Sequence, residues 1–409
     1  MKRACMRGTM KLVTPVIATI ALAACNVGTS SVGGTIVQSS AEARAIPACT
    51  DKRPGRVRCA AVILEGRVVS DGGSGPDGGF TPAQLQAAYN LPSAGGTGQV
   101  VAIADAYDNP NVASDLAFYR SYFGLPRASF YKYNQNGQQD NYPQSCMGHA
   151  GWCLEIDLDV EMVSAICPNC IIYLVESNSN ADSDLQTAEA EAVTLGAHII
   201  SNSYYCFGTA CQLNESYYDT SGVTYLGAAG DDGYGMGVPA DFDHVVAVGG
   251  THLVQGGGKR GWTETVWGGA GFGPDGTGAA CSTEPKPSWQ RDPGCTFRTG
   301  NDVAAVADPF TGVAEYDTYG YSGWFIVGGT SVSTPILASV FALAGNATKQ
   351  DGGRTFWGKN HQKAGDLNPV SRGSDGQCSP TYLCTDGTNE YKDYGGPTGW
   401  GTPNGIGAF

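Results

Sequence analysis

Short unbroken apolar runs alternate along the chain with longer segments whose apolar residues recur every three or four positions. The runs fall at 100–104, 171–175, 198–201, 223–229 and 245–248. Their length and β-branched content predict strands buried on both faces. The longer segments predict helices over 112–123, 154–166 and 185–195, the last closed by Gly196. Upstream, Thr81 is placed to cap a helix with Pro82 in its first turn, running through Leu85, Ala88 and Tyr89. Strands alternating with helices predict an α/β fold, a mostly parallel sheet with helices on both faces. In such folds a ligand sits outside the carboxyl ends of the strands.

Two stretches precede this rhythm. Residues 1–25 read as a signal peptide: Lys2, Arg3, Arg7 and Lys11 flank an apolar run over 12–24 that is too short to span a bilayer. It ends Leu22-Ala23-Ala24-Cys25, a lipoprotein-type signal in which Cys25 would carry the lipid; an ordinary secretory signal cut near Ala24 is the other reading. Residues 26–80 are rich in Ser, Gly, Ala and Arg and read as a linker or short pro-segment, leaving 81–409 as the main domain. The protein is therefore expected outside the cytoplasm, with membrane contact only through a lipid at Cys25.

Charge narrows the partners. Lys and Arg number 24 against 38 Asp and Glu, for a net charge of −14. Loss of the basic leader makes the balance more acidic still. A chain this acidic lacks the patches that phosphate contacts need, so nucleic acid is excluded. A monomer is expected. Of the 14 cysteines, those beyond Cys25 form close pairs: Cys49/Cys59, Cys146/Cys153, Cys167/Cys170, Cys206/Cys211, Cys281/Cys295 and Cys378/Cys384. In an exported chain these read as six local disulfides.

Three segments carry candidate chemistry. Val327-Gly328-Gly329-Thr330-Ser331 leads into an apolar helix-forming run, which sets the Ser331 hydroxyl near a helix N-terminus, as an acyl-transfer nucleophile requires. A plain Ser/Thr cap after a glycine loop reads equally well. Glu155 and Asp159 are four apart on one predicted helix and share a face, so one pKa of the pair should rise. Asp157 and Glu161 fit a solvated acidic face of that helix. Asp231 follows an apolar strand in Gly230-Asp231-Asp232-Gly233, a common turn that also sits at a strand end. His149 could instead serve Ser331 as base, with Asp105 behind it. The other histidines border strands (His198, His244) or lie in polar loops (His252, His361).

Taken together and in this order, the segments resemble the sedolisin family of serine-carboxyl peptidases. Its pattern has Glu and Asp four apart on one helix, an Asp in a Gly-Asp-x-Gly loop, and a Ser in Gly-Thr-Ser-x-x-x-Pro. Here these fall on Glu155, Asp159, Asp231, Ser331 and Pro335. The resemblance implies a subtilisin-like fold and an endopeptidase cutting proteins or peptides in acid. Ser331 would attack, Glu155 would serve as base, Asp159 would orient it, and a protonated Asp231 would hold the oxyanion. No cofactor is needed for that chemistry. The family's calcium site would begin at Pro369 and end at Gly395, so its ligand pattern looks degraded unless Asp393 substitutes. The stretch from Ser201 to Cys206 departs from the family pattern where substrate backbone would bind. A catalytically silent binding protein on this scaffold is the rival from another class.

Overall fold

The computed structural model describes residues 43–66, 72–208, 211–268, 276–279, 281–357 and 365–409. The leader, Cys25 and His361 lie outside them. The main sheet is built from β1 (Val100–Ala106), β2 (Ser129–Asn134), β3 (Ile171–Ser177), β4 (Ile199–Asn202), β5 (Thr224–Ala228), β6 (Val245–Gln255), β7 (Trp262–Val266) and β8 (Val303–Val306). Their order is β7-β6-β5-β4-β1-β3-β2, with β8 also beside β6. Every pairing is parallel except that of β6 with β7.

Alternation along β1 assigns the two faces. Val101 and Ile103 point into the larger core, where α1 (Pro82–Ala88), α2 (Val112–Tyr122), α3 (Ala150–Ile166) and α5 (Thr330–Ala344) pack. Ala102 and Ala104 point to the other side, against Ala188 and Ala192 of α4 (Asp182–Thr194). Small residues on that face let α4 lie close. Helices thus cover both faces, and each strand needs apolar residues throughout. Thr81 caps α1 in a reciprocal capping box with Gln84. All six cysteine pairs are bridged, with Cα separations of 5.3–5.9 Å.

Two departures from the sequence reading matter. The first concerns the stretch read as a linker or short pro-segment. Arg44–Pro47 pairs with Val62–Glu65, which pairs in turn with Gly323–Gly328 and, through it, with Val313–Asp317. From residue 43 onward the described chain belongs to the same compact unit as the main domain. Here Val57 and the run 60–64 are buried, and that burial outweighs the polar composition of the flanks.

The second concerns α3. Asp157 and Glu161 are not solvated; both are wholly buried, as are Glu155 and Asp159. The hairpin of Val313–Asp317 and Gly323–Gly328 covers this flank of the helix. Asp157 accepts from Asn109 Nδ2 at 2.7 Å, and Glu161 from the Tyr316 amide at 3.1 Å. Burial, with nearby Asp317 and Glu315, pushes both well above the usual carboxyl range. They are held as neutral acids, the form that burial favours.

Candidate active site

The parallel strands deliver their carboxyl ends to one rim, where α5 begins. Gly329 takes φ +100° to turn the chain from the Gly323–Gly328 strand into that helix. Pro335 has no amide to bond the carbonyl four residues back, Ser331. One residue earlier, the Thr334 hydroxyl donates to the Thr330 carbonyl at 2.8 Å, adding a bond within the same turn. Ser331 is thereby fixed in the first turn, wholly buried. Its hydroxyl donates to the Ser203 carbonyl, just beyond β4, at 3.1 Å.

Glu155 and Asp159 reach the same rim from α3, which packs along α5. The Ser203 hydroxyl donates to Asp159 Oδ1 at 2.8 Å. Burial pushes Glu155 well up, the charges of Asp159 and Asp105 add to this, and the Ser331 hydroxyl beside it pulls the other way. Burial also raises Asp159, and Asp105 adds to it. The hydrogen bond from the Ser203 hydroxyl opposes the rise. Two buried carboxyls on one face of a helix, each raising the cost of charging the other, titrate as a pair.

Asp105, at the end of β1, joins this cluster, and burial raises it to about 8. The sequence reading met Asp105 only as the partner of His149. The structure does not bring His149 to Ser331: its ring stacks on Tyr107 with centroids 4.2 Å apart. His244 bonds Asp351, and His252 bonds Asp308.

Asp231 follows β5 across the rim. Its Oδ1 accepts from the Thr330 amide at 2.9 Å and the Thr330 hydroxyl at 2.8 Å. Burial nevertheless raises it to about 8. With both donors on Oδ1, its proton falls to Oδ2. The rim therefore holds a hydroxyl in the first turn of α5, a neutral acid bonded to that turn through Thr330, and an acidic pair on the helix packed beside it. Ser203 is the member that sequence reasoning missed. Its signal was its place one residue past a strand end.

A family profile described as Subtilase family matches residues 96–366. The chain belongs to the subtilase family. Within it the chain is of the sedolisin type. It is 31% identical over 299 residues to Kumamolisin of Bacillus sp. (strain MN-32), covering 64% of this chain and 51% of that one. It is 25% identical over 361 residues to Sedolisin of Pseudomonas sp. (strain 101), covering 79% and 60%. This subtilase thus spans between half and three fifths of those relatives' length. Among solved structures, Pseudomonas sedolisin (serine-carboxyl proteinase), complexed with two molecules of pseudo-iodotyrostatin, superposes with TM-score 0.66 at 24% identity. The match covers 80% of this chain and 95% of that one, and it shows the subtilisin-like fold.

The calcium site implied by the sequence does not fit. Pro369 carries no donor side chain, and Asn368 Nδ2 donates instead to the Pro403 carbonyl at 2.6 Å. Gly395 likewise brings no side-chain oxygen, and a Cβ there would stand 1.8 Å from Asp386 Oδ1. Asp393 lies on the surface.

Proposed function

We propose that this subtilase is an exported endopeptidase that hydrolyses proteins or peptides through Ser331, with a Glu155–Asp159 pair in place of a histidine. The observation that carries this reading is the placement of the acidic pair on α3 beside the first turn of α5. Ser331 attacks the scissile carbonyl, and its proton passes to Glu155. Asp159, one turn along α3 and held by the Ser203 hydroxyl, orients Glu155 and shares the proton system. The Ser331 amide and the Asp231 acid receive the oxyanion. Asp231 donates only while neutral, so activity belongs on the acid side of about 8. The leader ending at Cys25 supports export, with a lipid anchor there as its finer form. Among the described residues no helix is long and apolar enough to cross a membrane.

The test compares Glu155→Gln with His149→Ala in casein digestion across pH. The glutamine variant should lose turnover and the alanine variant keep it. Loss in the histidine variant alone, with a neutral optimum, would sink the carboxylate mechanism. A folded wild type that cuts nothing at any pH would leave a silent binding protein.

A further inference from the structure

The hairpin that covers α3 also closes a cluster of acids. Asp115 of α2, Asp157 of α3 and Asp317, the last residue of the first hairpin strand, each bring a carboxylate oxygen within 4.8 Å of the other two. All three side chains are buried. Some of their oxygens are engaged. Asp115 accepts from the Thr318 amide at 2.9 Å and from the Thr318 hydroxyl at 2.8 Å. Asp157 Oδ2 accepts from Asn109, and Asp317 Oδ1 accepts from the amides of Tyr319 and Gly320 at 2.6 and 3.0 Å. Asp157 Oδ1 and Asp317 Oδ2 accept from no group of the protein. A buried acceptor with no donor is costly for a fold to keep, and here two of them belong to acids that converge.

No cation of the chain answers them. Among the described residues no Lys, Arg or His forms an ion pair with any of the three. Lys132, whose charge acts on Asp157, is committed to Asp108 and Glu176. Glu315 adds to the acidity of the place. Asp317 and Asp157 raise the cost of charging it, and neither of its oxygens has a partner.

We propose that Asp115, Asp157 and Asp317 bind a divalent cation of calcium's size, which clamps the hairpin onto α2 and α3. The cluster offers only oxygen donors, the choice of a hard cation. Oxygens within 4.8 Å of one another can share one ion at about 2.4 Å from each, calcium's usual distance. Magnesium keeps several of its waters, and three buried acids leave little space for them. Without an ion, burial keeps Asp157 a neutral acid. The cation supplies the charge against which it ionises, and the displaced proton passes to solvent. Thr318, which bonds Asp115, is exposed and marks the side from which an ion enters. None of these residues belongs to the stretch between Asn368 and Gly395, where the sequence-implied calcium pattern fails. The second hairpin strand, Gly323–Gly328, runs directly into Gly329 and Ser331, so the clamp also steadies the approach to that turn. The site stands whether or not Ser331 is a nucleophile.

The test is calorimetric titration of the EDTA-stripped full chain with calcium at pH 7, with thermal melts alongside. Wild type should bind calcium saturably and, at about 100 times Kd, melt about 3 °C higher. Asp115→Asn and Asp317→Asn should each weaken binding about tenfold or more, because each removes a charged ligand. Asp393→Asn, in the C-terminal stretch, should bind as wild type does, and magnesium should raise the melt less than calcium. Wild-type crystals soaked in terbium need no variant and should show an anomalous peak between the three carboxylates. A wild type whose melt ignores calcium would leave three neutral acids packed by burial and overturn the site. So would binding that both Asn variants retain in full, or a terbium peak found only elsewhere.

Discussion

Replacing Asp231 by Asn separates its two contributions, donation and titration. Oδ1 of Asp231 is committed to two Thr330 donors, so an Asn there keeps its carbonyl on Thr330 and presents Nδ2–H where the acid presents O–H. The amide does not titrate. Asp231 stands at about 8 with residues 57–60 filling the cleft much as a bound peptide would. That value therefore belongs to the occupied state, which kcat reports. At pH 9 about a tenth of Asp231 keeps its proton, so wild-type kcat should fall about tenfold from its plateau, and another tenfold per further unit. In Asp231→Asn this limb should vanish. Asp231→Ala, which removes the donor, should cost about 10² to 10³ in kcat at every pH on the plateau. The assay is kcat at saturating peptide from pH 3 to 10, with pre-incubated enzyme re-assayed at pH 5 to exclude alkaline unfolding. An alkaline limb that persists unchanged in the Asn variant would refute the oxyanion role, as would an Asn variant no better than Ala.

Three further outcomes follow from the same geometry. Ser203→Ala removes the donor to Asp159, which favours its charged form, so the acid limb of kcat should move to higher pH; an unmoved limb would show the bond to be idle. Gly329→Ala would set a Cβ 2.0 Å from the Ala60 carbonyl oxygen at φ +100°; peptide turnover should fall about 100-fold or more, with thermal melts checking that the fold survives. Asp386 is buried and raised from 3.8 to about 8, so between those values the folded chain holds a proton that the unfolded chain has released. Its stability is intact below about 4 and falls about 1.4 kcal/mol per unit as pH rises. Urea unfolding should show Asp386→Asn gaining up to about 4 kcal/mol on wild type between pH 4 and 7, and parallel curves would contradict the burial argument.

What the linear chain determined was local. Apolar runs ending at Asp105 and before Asp231 set both at strand ends, because a strand buried on two faces must stop where polar residues begin. Spacing of four put Glu155 and Asp159 on one helical face, and glycines before Ser331 marked a tight entry into an apolar helix. The cysteines pair with near neighbours, so their bridges were legible too. Tertiary structure decided which side of α3 meets water. Asp157 and Glu161 are sealed by a hairpin whose strands lie more than 140 residues downstream of them, and no pattern within a helix records what will cover it. It also decided that His149 faces Tyr107 rather than the nucleophile, and that Ser203 supports Asp159 from a third element. The same holds for residues 57–60. The Ser- and Gly-rich stretch around them reads as a linker, yet they bond Asn180 on one side and pair with Tyr204 and Tyr205 on the other, because backbone amides and carbonyls pair without regard to side-chain type.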